Sequence, residues 1–218
     1  MKTLPLILAS SSPRRHELLR ALQIPFTIEP STIDETTVQD SDPAQLAETL
    51  ARSKALDVAR HHPDAVVIGA DTLVDLDGEV LNKPRNATDA ARMLRLLAGN
   101  RHMVHSGIAV AVRRPSRGSN TQELSCLSTR VTTTVRMRPA DSAQIEAYVA
   151  TGEPLDKAGA YAAQGHGAAL IERVEGSYLA VVGLPLLALR DLLLEAGIVS
   201  PASLATLEAL ERGEHVQY

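Results

Sequence analysis

The chain has no tryptophan and only 2% aromatic residues, so it lacks the stacking platforms with which proteins grip single-stranded nucleic acid. It has no basic excess either. Lys and Arg number 22 against 26 Asp and Glu, and a net charge of -4 gathers no polyanionic polymer. Nucleic acid is therefore not an expected partner. The one cysteine, Cys126, excludes an internal disulfide framework and a cysteine-based zinc site, and it suits a reducing cytoplasm. Residues 4–9 form an apolar run too short for a signal core or a bilayer span, and no later segment is long and apolar enough. A cytoplasmic protein with no membrane partner is expected. No Gly-x-x-x-x-Gly-Lys loop occurs, which removes that kind of phosphate cradle.

What is present is ordinary for a globular protein: 218 residues, 44% hydrophobic and 22% charged. Residues 4–9 read as a buried strand, and Ser12 with Pro13 behind it reads as a helix start. Asp42-Pro43-Ala44-Gln45 has the form of a capping box, opening a helix to about His61. Residues 65–70 predict an apolar strand ending at Asp71-Thr72, followed by a hairpin around Asp77-Gly78. Thr88 is expected to cap a third helix. Strands are expected over 108–112 and 124–137, with an exposed turn across 113–121. Asp141 and Gln144 open a further helix, 185–196 form a Leu-rich one, and Ser200-Pro201 starts the last. Crossover helices mixed with hairpins imply an α/β fold on a mixed sheet.

Charged residues then stand out by position. Arg14 and Arg15 fall in the first turn of a helix, where the macrodipole disfavours cations. Either both are solvated, or an anion sits there with the Ser10 and Ser12 hydroxyls and helix N–H groups as further donors. The dipole leaves both readings open. Asp71 follows a buried strand and either begins a turn or acts in catalysis, with Glu35 as a second carboxylate able to share Mg²⁺ or deprotonate water. Lys54 lies on the apolar stripe of its helix and could snorkel to solvent. Lys83 precedes Pro84, and Lys157 follows Asp156. Taken singly these lysines say little; together with the carboxylates they could form a triphosphate-and-metal site. His102 and His105 lack the setting of a zinc site.

The segments Ala9-Ser10-Ser11-Ser12-Pro13-Arg14-Arg15-His16-Glu17-Leu18-Leu19, Gly69-Ala70-Asp71-Thr72, Lys83-Pro84, Thr151-Gly152-Glu153-Pro154-Leu155-Asp156-Lys157-Ala158-Gly159-Ala160-Tyr161, Gln164-Gly165 and Val182-Gly183-Leu184-Pro185 occur in the order found in the Maf proteins. The chain resembles that family of nucleotide pyrophosphatases, related in fold to the inosine triphosphatases, from Leu6 to about Leu194. The resemblance implies one α/β domain over 1–218, with a curved mixed β-sheet and flanking helices forming two lobes around a cleft. It implies a cytoplasmic hydrolase in which water attacks the α-phosphate of a nucleoside triphosphate and releases pyrophosphate, helped by Mg²⁺ or Mn²⁺. By motif position Asp71 matches the catalytic base, and Glu35 with Asp71 the metal ligands. Ser10, Ser12, Arg15, Lys54 and Lys83 match the phosphate-binding group. Family members often form homodimers.

Arg14, Thr72 and Gln164 stand where the branch acting on dTTP and UTP carries Arg, Thr and Gln; the branch acting on 7-methyl-GTP has Trp, Gln and Glu. An amide can meet both the N3–H donor and the carbonyl acceptors of uracil or thymine, whereas an ionised glutamate only accepts. The sequence departs from the family at Asn82, where Gly is usual, at His105-Ser106 before Gly107, and at Ala180, where Asn is usual. None of these removes an expected catalytic group. The alternatives are a broader house-cleaning pyrophosphatase for other non-standard nucleotides and a nucleotide-binding regulator of cell division.

Overall fold

The computed structural model describes residues 4–115 and 122–213. Its centre is β3 (Val66–Leu76), an eleven-residue strand. The short β1 (Leu6–Leu8) runs parallel to it, and β2 (Phe26–Ile28) parallel to β1. On the other edge β5 (Arg101–Pro115) is antiparallel to β3, followed by β6 (Gln122–Met137) and β7 (Ile171–Glu175), also antiparallel. A hairpin strand, β4 (Glu79–Leu81), returns along the far end of β3. The sheet is mixed, as expected, with the order β2-β1-β3-β5-β6-β7 and β4 beside β3.

One consequence of this pairing shapes everything else. β1 covers positions 66–68 of β3, and β4 covers 74–76. Between them residues 69–73 have a sheet neighbour on the β5 side only. The sheet forks there, and Asp71 and Thr72 lie in the fork. The strand was expected to stop at Asp71; instead β5 pairs with it from 67 to 75, and that continuous ladder carries it through the polar residues.

Strand alternation sends successive side chains to opposite faces. On one face Val67 joins Ile7, Ala109 and Ala111 against helix α2 (Pro43–Ala59). On the other, Val66, Ile68, Ala70, Ile108 and Val110 meet Leu18, Leu19 and Leu22, the first two on α1 (Pro13–Arg20). They also meet α5 (Tyr178–Val182) and α6 (Leu186–Glu195). Beyond the fork a separate core joins Val74, Val104 and Val135 to helices α3 (Ala87–Leu97) and α4 (Ser142–Ala150). The two expected lobes are these cores on either side of the fork.

Helix α2 lies unusually close to the sheet because two positions beneath it lack side chains. A Cβ on Gly107 would overlap the Ala47 backbone, and one on Gly69 would stand 2.8 Å from the Ala55 nitrogen.

Several helix starts differ from expectation. Ser12 caps nothing through its side chain, and its own N–H donates to Ser10 Oγ. Asp42 caps α2 alone, through the Ala44 N–H, while Gln45 turns to Thr49 and Arg130. Asn86, not Thr88, caps α3, accepting from Asp89 N–H at 2.9 Å. Asp141 and Gln144 make the full reciprocal box. The last helix, α7 (Leu204–Glu211), starts at the Ser203 cap, three residues after Ser200. β5 begins at Arg101, seven positions earlier than expected, since its polar His102, His105 and Ser106 all have buried partners. Of the expected turn over 113–121, residues 113–115 continue β5, and 116–121 lie outside the described residues.

Candidate active site

A cleft of about 910 Å³ opens over the fork. Its walls come from the β1–α1 connection, the Glu35–Thr37 turn, α2, β3, the end of the β3–β4 hairpin, residues 156–164 and the end of α5. Ser10, Ser12, Arg14, Arg15, Glu35, Lys54, Asp71, Thr72, Lys83 and Gln164 all line it. Ten positions spread over 155 residues of sequence thus share one cavity, of a size suited to a small-molecule ligand.

Lys54 does not snorkel. The glycine-permitted approach of α2 brings its amine to 2.5 Å from Asp71 Oδ1 and 2.8 Å from Glu35 Oε1, with the Lys54 and Asp71 side chains only 10% and 8% exposed. One buried ammonium thus gathers both carboxylates. Asp71 Oδ2 has no hydrogen-bond partner among the described residues.

Across the strand Thr72 faces the opposite way, toward α1. Arg15 donates to Thr72 Oγ1 and Ser10 Oγ, each at 3.3 Å, and through Nε to the Gly183 carbonyl at 2.9 Å. Burial pulls the Arg15 pKa below the usual guanidinium value and Arg14 adds to that, while Asp71 and Glu35 oppose it. Such a cation, close to carboxylates yet largely desolvated, gains from an anionic ligand. Thr72 Oγ1 also bonds Ser106 Oγ at 2.9 Å, and Ser106 donates to the Ala180 carbonyl at 2.7 Å. No local pattern of residues marks this link between β3, β5 and α5.

Arg14 takes a separate position from its neighbour. Its nearest charged partner is Asp156, 3.7 Å away on the opposite wall, and its side chain stays 28% exposed. Asp156 also pairs with Lys157. Lys83 and Gln164 are exposed, and their side chains make no hydrogen bond or ion pair among the described residues. Lining residues to which the sequence assigned no individual role include Asn82, Asp156 and Tyr161. All but Asn82 sit in the segment 151–161 already matched to the family; what was missing was the turn geometry that brings the segment over the cleft.

His102 and His105 are structural. His102 Nε2 meets the Tyr161 hydroxyl at 2.7 Å, and His105 bridges Thr132 and Asp75. No group of three or more His, Cys, Asp or Glu among the described residues is arranged for a metal. Glu35 and Asp71 are the only pair of carboxylates brought onto one amine in the cleft among the described residues.

Residues 5–196 match the family model of the Maf-like proteins. The chain belongs to the Maf family. It is 51% identical over 193 residues to the dTTP/UTP pyrophosphatase of Moorella thermoacetica, covering 88% of this chain and 95% of that protein. The protein of the same name from Symbiobacterium thermophilum is 49% identical over 181 residues, 83% and 88% of the two chains. That from Dictyoglomus thermophilum is 43% identical over 193 residues, 88% and 96%. This Maf protein therefore aligns with these relatives over most of their length, and its cleft residues fall within the span that the family model matches. Among the described residues no helix is long and apolar enough to cross a membrane.

Proposed function

We propose that this Maf protein hydrolyses dTTP and UTP to the nucleoside monophosphate and pyrophosphate. The carrying observation is the convergence of Asp71 with Lys54, Arg14, Arg15 and Lys83 on one cleft. The names of its relatives point the same way.

In the proposed step Asp71 Oδ2, without a hydrogen-bond partner among the described residues, takes a proton from a water as the water oxygen bonds to the α-phosphorus. The bond from that phosphorus to the α–β bridging oxygen breaks, and pyrophosphate leaves with the bridging oxygen. Lys54 holds Asp71 in one orientation through Oδ1. Arg15 and Lys83, with the Ser10 and Ser12 hydroxyls, bind phosphate oxygens and offset charge that grows on the leaving group. Arg14 gives up Asp156 for the substrate.

The donor chemistry fits a divalent cation. Two hard carboxylates, Glu35 and Asp71, already share one ammonium, and Mg²⁺ is commonly held by one or two carboxylates completed by substrate phosphates. Mg²⁺ or Mn²⁺ bound by them would neutralise phosphate charge. Gln164, at the cleft edge with its amide free, meets the uracil or thymine edge as donor and acceptor at once. Thr72 acts on selection through Arg15, and Arg14 directly. The lone Cys126 fits a cytoplasmic place of work.

Turnover of UTP in ¹⁸O-labelled water with Mg²⁺ tests the reaction. The expected result is label in UMP, none in pyrophosphate, and no activity in excess chelator. Label in pyrophosphate, or release of orthophosphate as first product, refutes attack at the α-phosphate.

A further inference from the structure

The loop that carries Gln164 has no strand or α-helix of its own. Residues 158–170 are short 3₁₀ turns and irregular backbone, with Gly159, Ala160 and Gly165 all at positive φ. Such a segment needs external partners for its N–H groups. Two side chains supply some of them, one on α4 and one just beyond its end.

Helix α4 ends at Ala150 with Thr151 as its C-cap, and Gly152 at φ +76° turns the chain back. The Glu153 N–H then donates to Thr151 Oγ1 at 3.2 Å, and that hydroxyl donates to the Tyr148 carbonyl at 2.7 Å. Glu153 is thereby aimed at the loop. Its Oε1 accepts from the His166 N–H at 3.1 Å and its Oε2 from the Gly167 N–H at 2.8 Å. Four residues earlier in the loop, the Ala162 N–H donates to the buried Tyr148 hydroxyl at 3.1 Å. Gln164 lies midway between these two anchors.

The fit is close enough to dictate glycine. A Cβ on Gly165 would collide with Glu153 Oε1, and one on Gly167 would lie 2.5 Å from the Tyr148 hydroxyl. Desolvation raises the Glu153 pKa, but bonds from Tyr148, Gly167 and His166 outweigh it, so the carboxyl sits below its usual value. The loop binds the ionised form.

We infer that Glu153 and Tyr148 are positioning residues that clamp the 162–167 loop and so fix where Gln164 stands in the cleft, making them determinants of base selectivity. Neither residue is among those lining the cleft. The inference rests on the reading that Gln164 meets the base.

Glu153→Gln is the sharper probe, because it sets an amide NH₂ or a single oxygen where two N–H groups need two acceptors. Tyr148→Phe removes the other anchor and keeps the ring in the core. Hydrogen exchange over 162–167 and steady-state kinetics on UTP and ATP are measured for the full-length protein and both variants. Expected is faster exchange confined to that loop, with KM for UTP raised about tenfold in Glu153→Gln and kcat within about twofold. The preference for UTP over ATP should fall by the same factor, and Tyr148→Phe should move in the same direction by less. Unchanged exchange in both variants overturns the clamp. A loss of kcat shared equally by UTP and ATP, at constant KM, makes the pair merely structural and overturns its role in selectivity. Wild-type protein that turns over ATP as well as UTP overturns the pyrimidine reading instead, and the exchange measurement still decides the clamp.

Discussion

Lys54 Nζ stands 2.5 Å from Asp71 Oδ1, with both side chains out of solvent and Glu35 closing the other side of the amine. The pair joins α2 to the stretch of β3 that is paired on the β5 side only, so the same contact supports the fold and orients the proposed base. Asp71→Asn keeps the size and a polar contact to Lys54 but cannot accept the proton. Activity should drop on the order of 10²–10⁴-fold, the usual weight of a general base, with a loss of Tm smaller than that of Lys54→Met, since Lys54 keeps Glu35 as a counter-ion. Full residual turnover of UTP would remove Asp71 from that role.

Lys54→Met should behave differently. It leaves Asp71 buried without its cation, and breaking such a pair from one side costs about 3 kcal/mol or more. Loss of both stability and activity is expected in denaturant melts and kinetics. The double variant Lys54→Met, Asp71→Asn should recover part of the stability and none of the activity. A double variant no more stable than Lys54→Met alone would show that the pairing itself contributes little.

The position of Lys54 depends in turn on Gly69 and Gly107. A methyl group at either meets α2 backbone, which cannot swing aside like a flexible side chain. Gly69→Ala should cost about 1–3 kcal/mol and displace α2 outward, taking Lys54 from Asp71. Chemical-shift changes along residues 47–58 and a weakened UTP turnover would register that displacement. A variant with wild-type Tm and kinetics would mean the helix has room to spare.

This dependence marks the limit of what the sequence shows. The helices, the mixed sheet and the catalytic candidates are legible because each rests on local signals or on blocks of family motif. Lys54 was ambiguous because its burial depends on two glycines 15 and 53 positions away, seen only once α2 is docked. The end of β3 was misplaced for a related reason: Asp71 reads as a strand terminator until its partner ladder on β5 and its cation on α2 are known. The split between Arg14 and Arg15 was equally hidden. Adjacent in sequence, they point 100° apart on a helix, one toward Asp156 and the other toward Thr72.

That split carries its own prediction. Thr72 shares a hydrogen bond with Arg15, not with Arg14, so Thr72→Val should act by loosening Arg15. The change is nearly isosteric and leaves Ser106 bonded to the Ala180 carbonyl. A stability loss of about 1 kcal/mol is expected, together with a raised KM for UTP. In a double-mutant cycle with Arg15→Lys the two effects should be non-additive. Additive effects would separate Thr72 from Arg15.

His102 gives the acid limb of stability. Buried beside Tyr161, with Nδ1 unpartnered among the described residues, it is pushed down to about 4, chiefly by desolvation and despite the opposing pull of Asp75. The unfolded chain takes up its proton near 6.5 and the folded one only near 4. Between these values the unfolded state binds more protons, so stability is greatest above about pH 6.5 and falls as pH drops toward 4. The full difference is about 3 kcal/mol if His102 stays neutral throughout. His102→Gln keeps a donor for the Tyr161 hydroxyl and cannot take up the proton. Its stability should therefore vary less between pH 6.5 and 4 than that of the wild type, even if it is lower at neutral pH. Parallel curves of unfolding free energy against pH for the two proteins would assign the acid sensitivity to other groups.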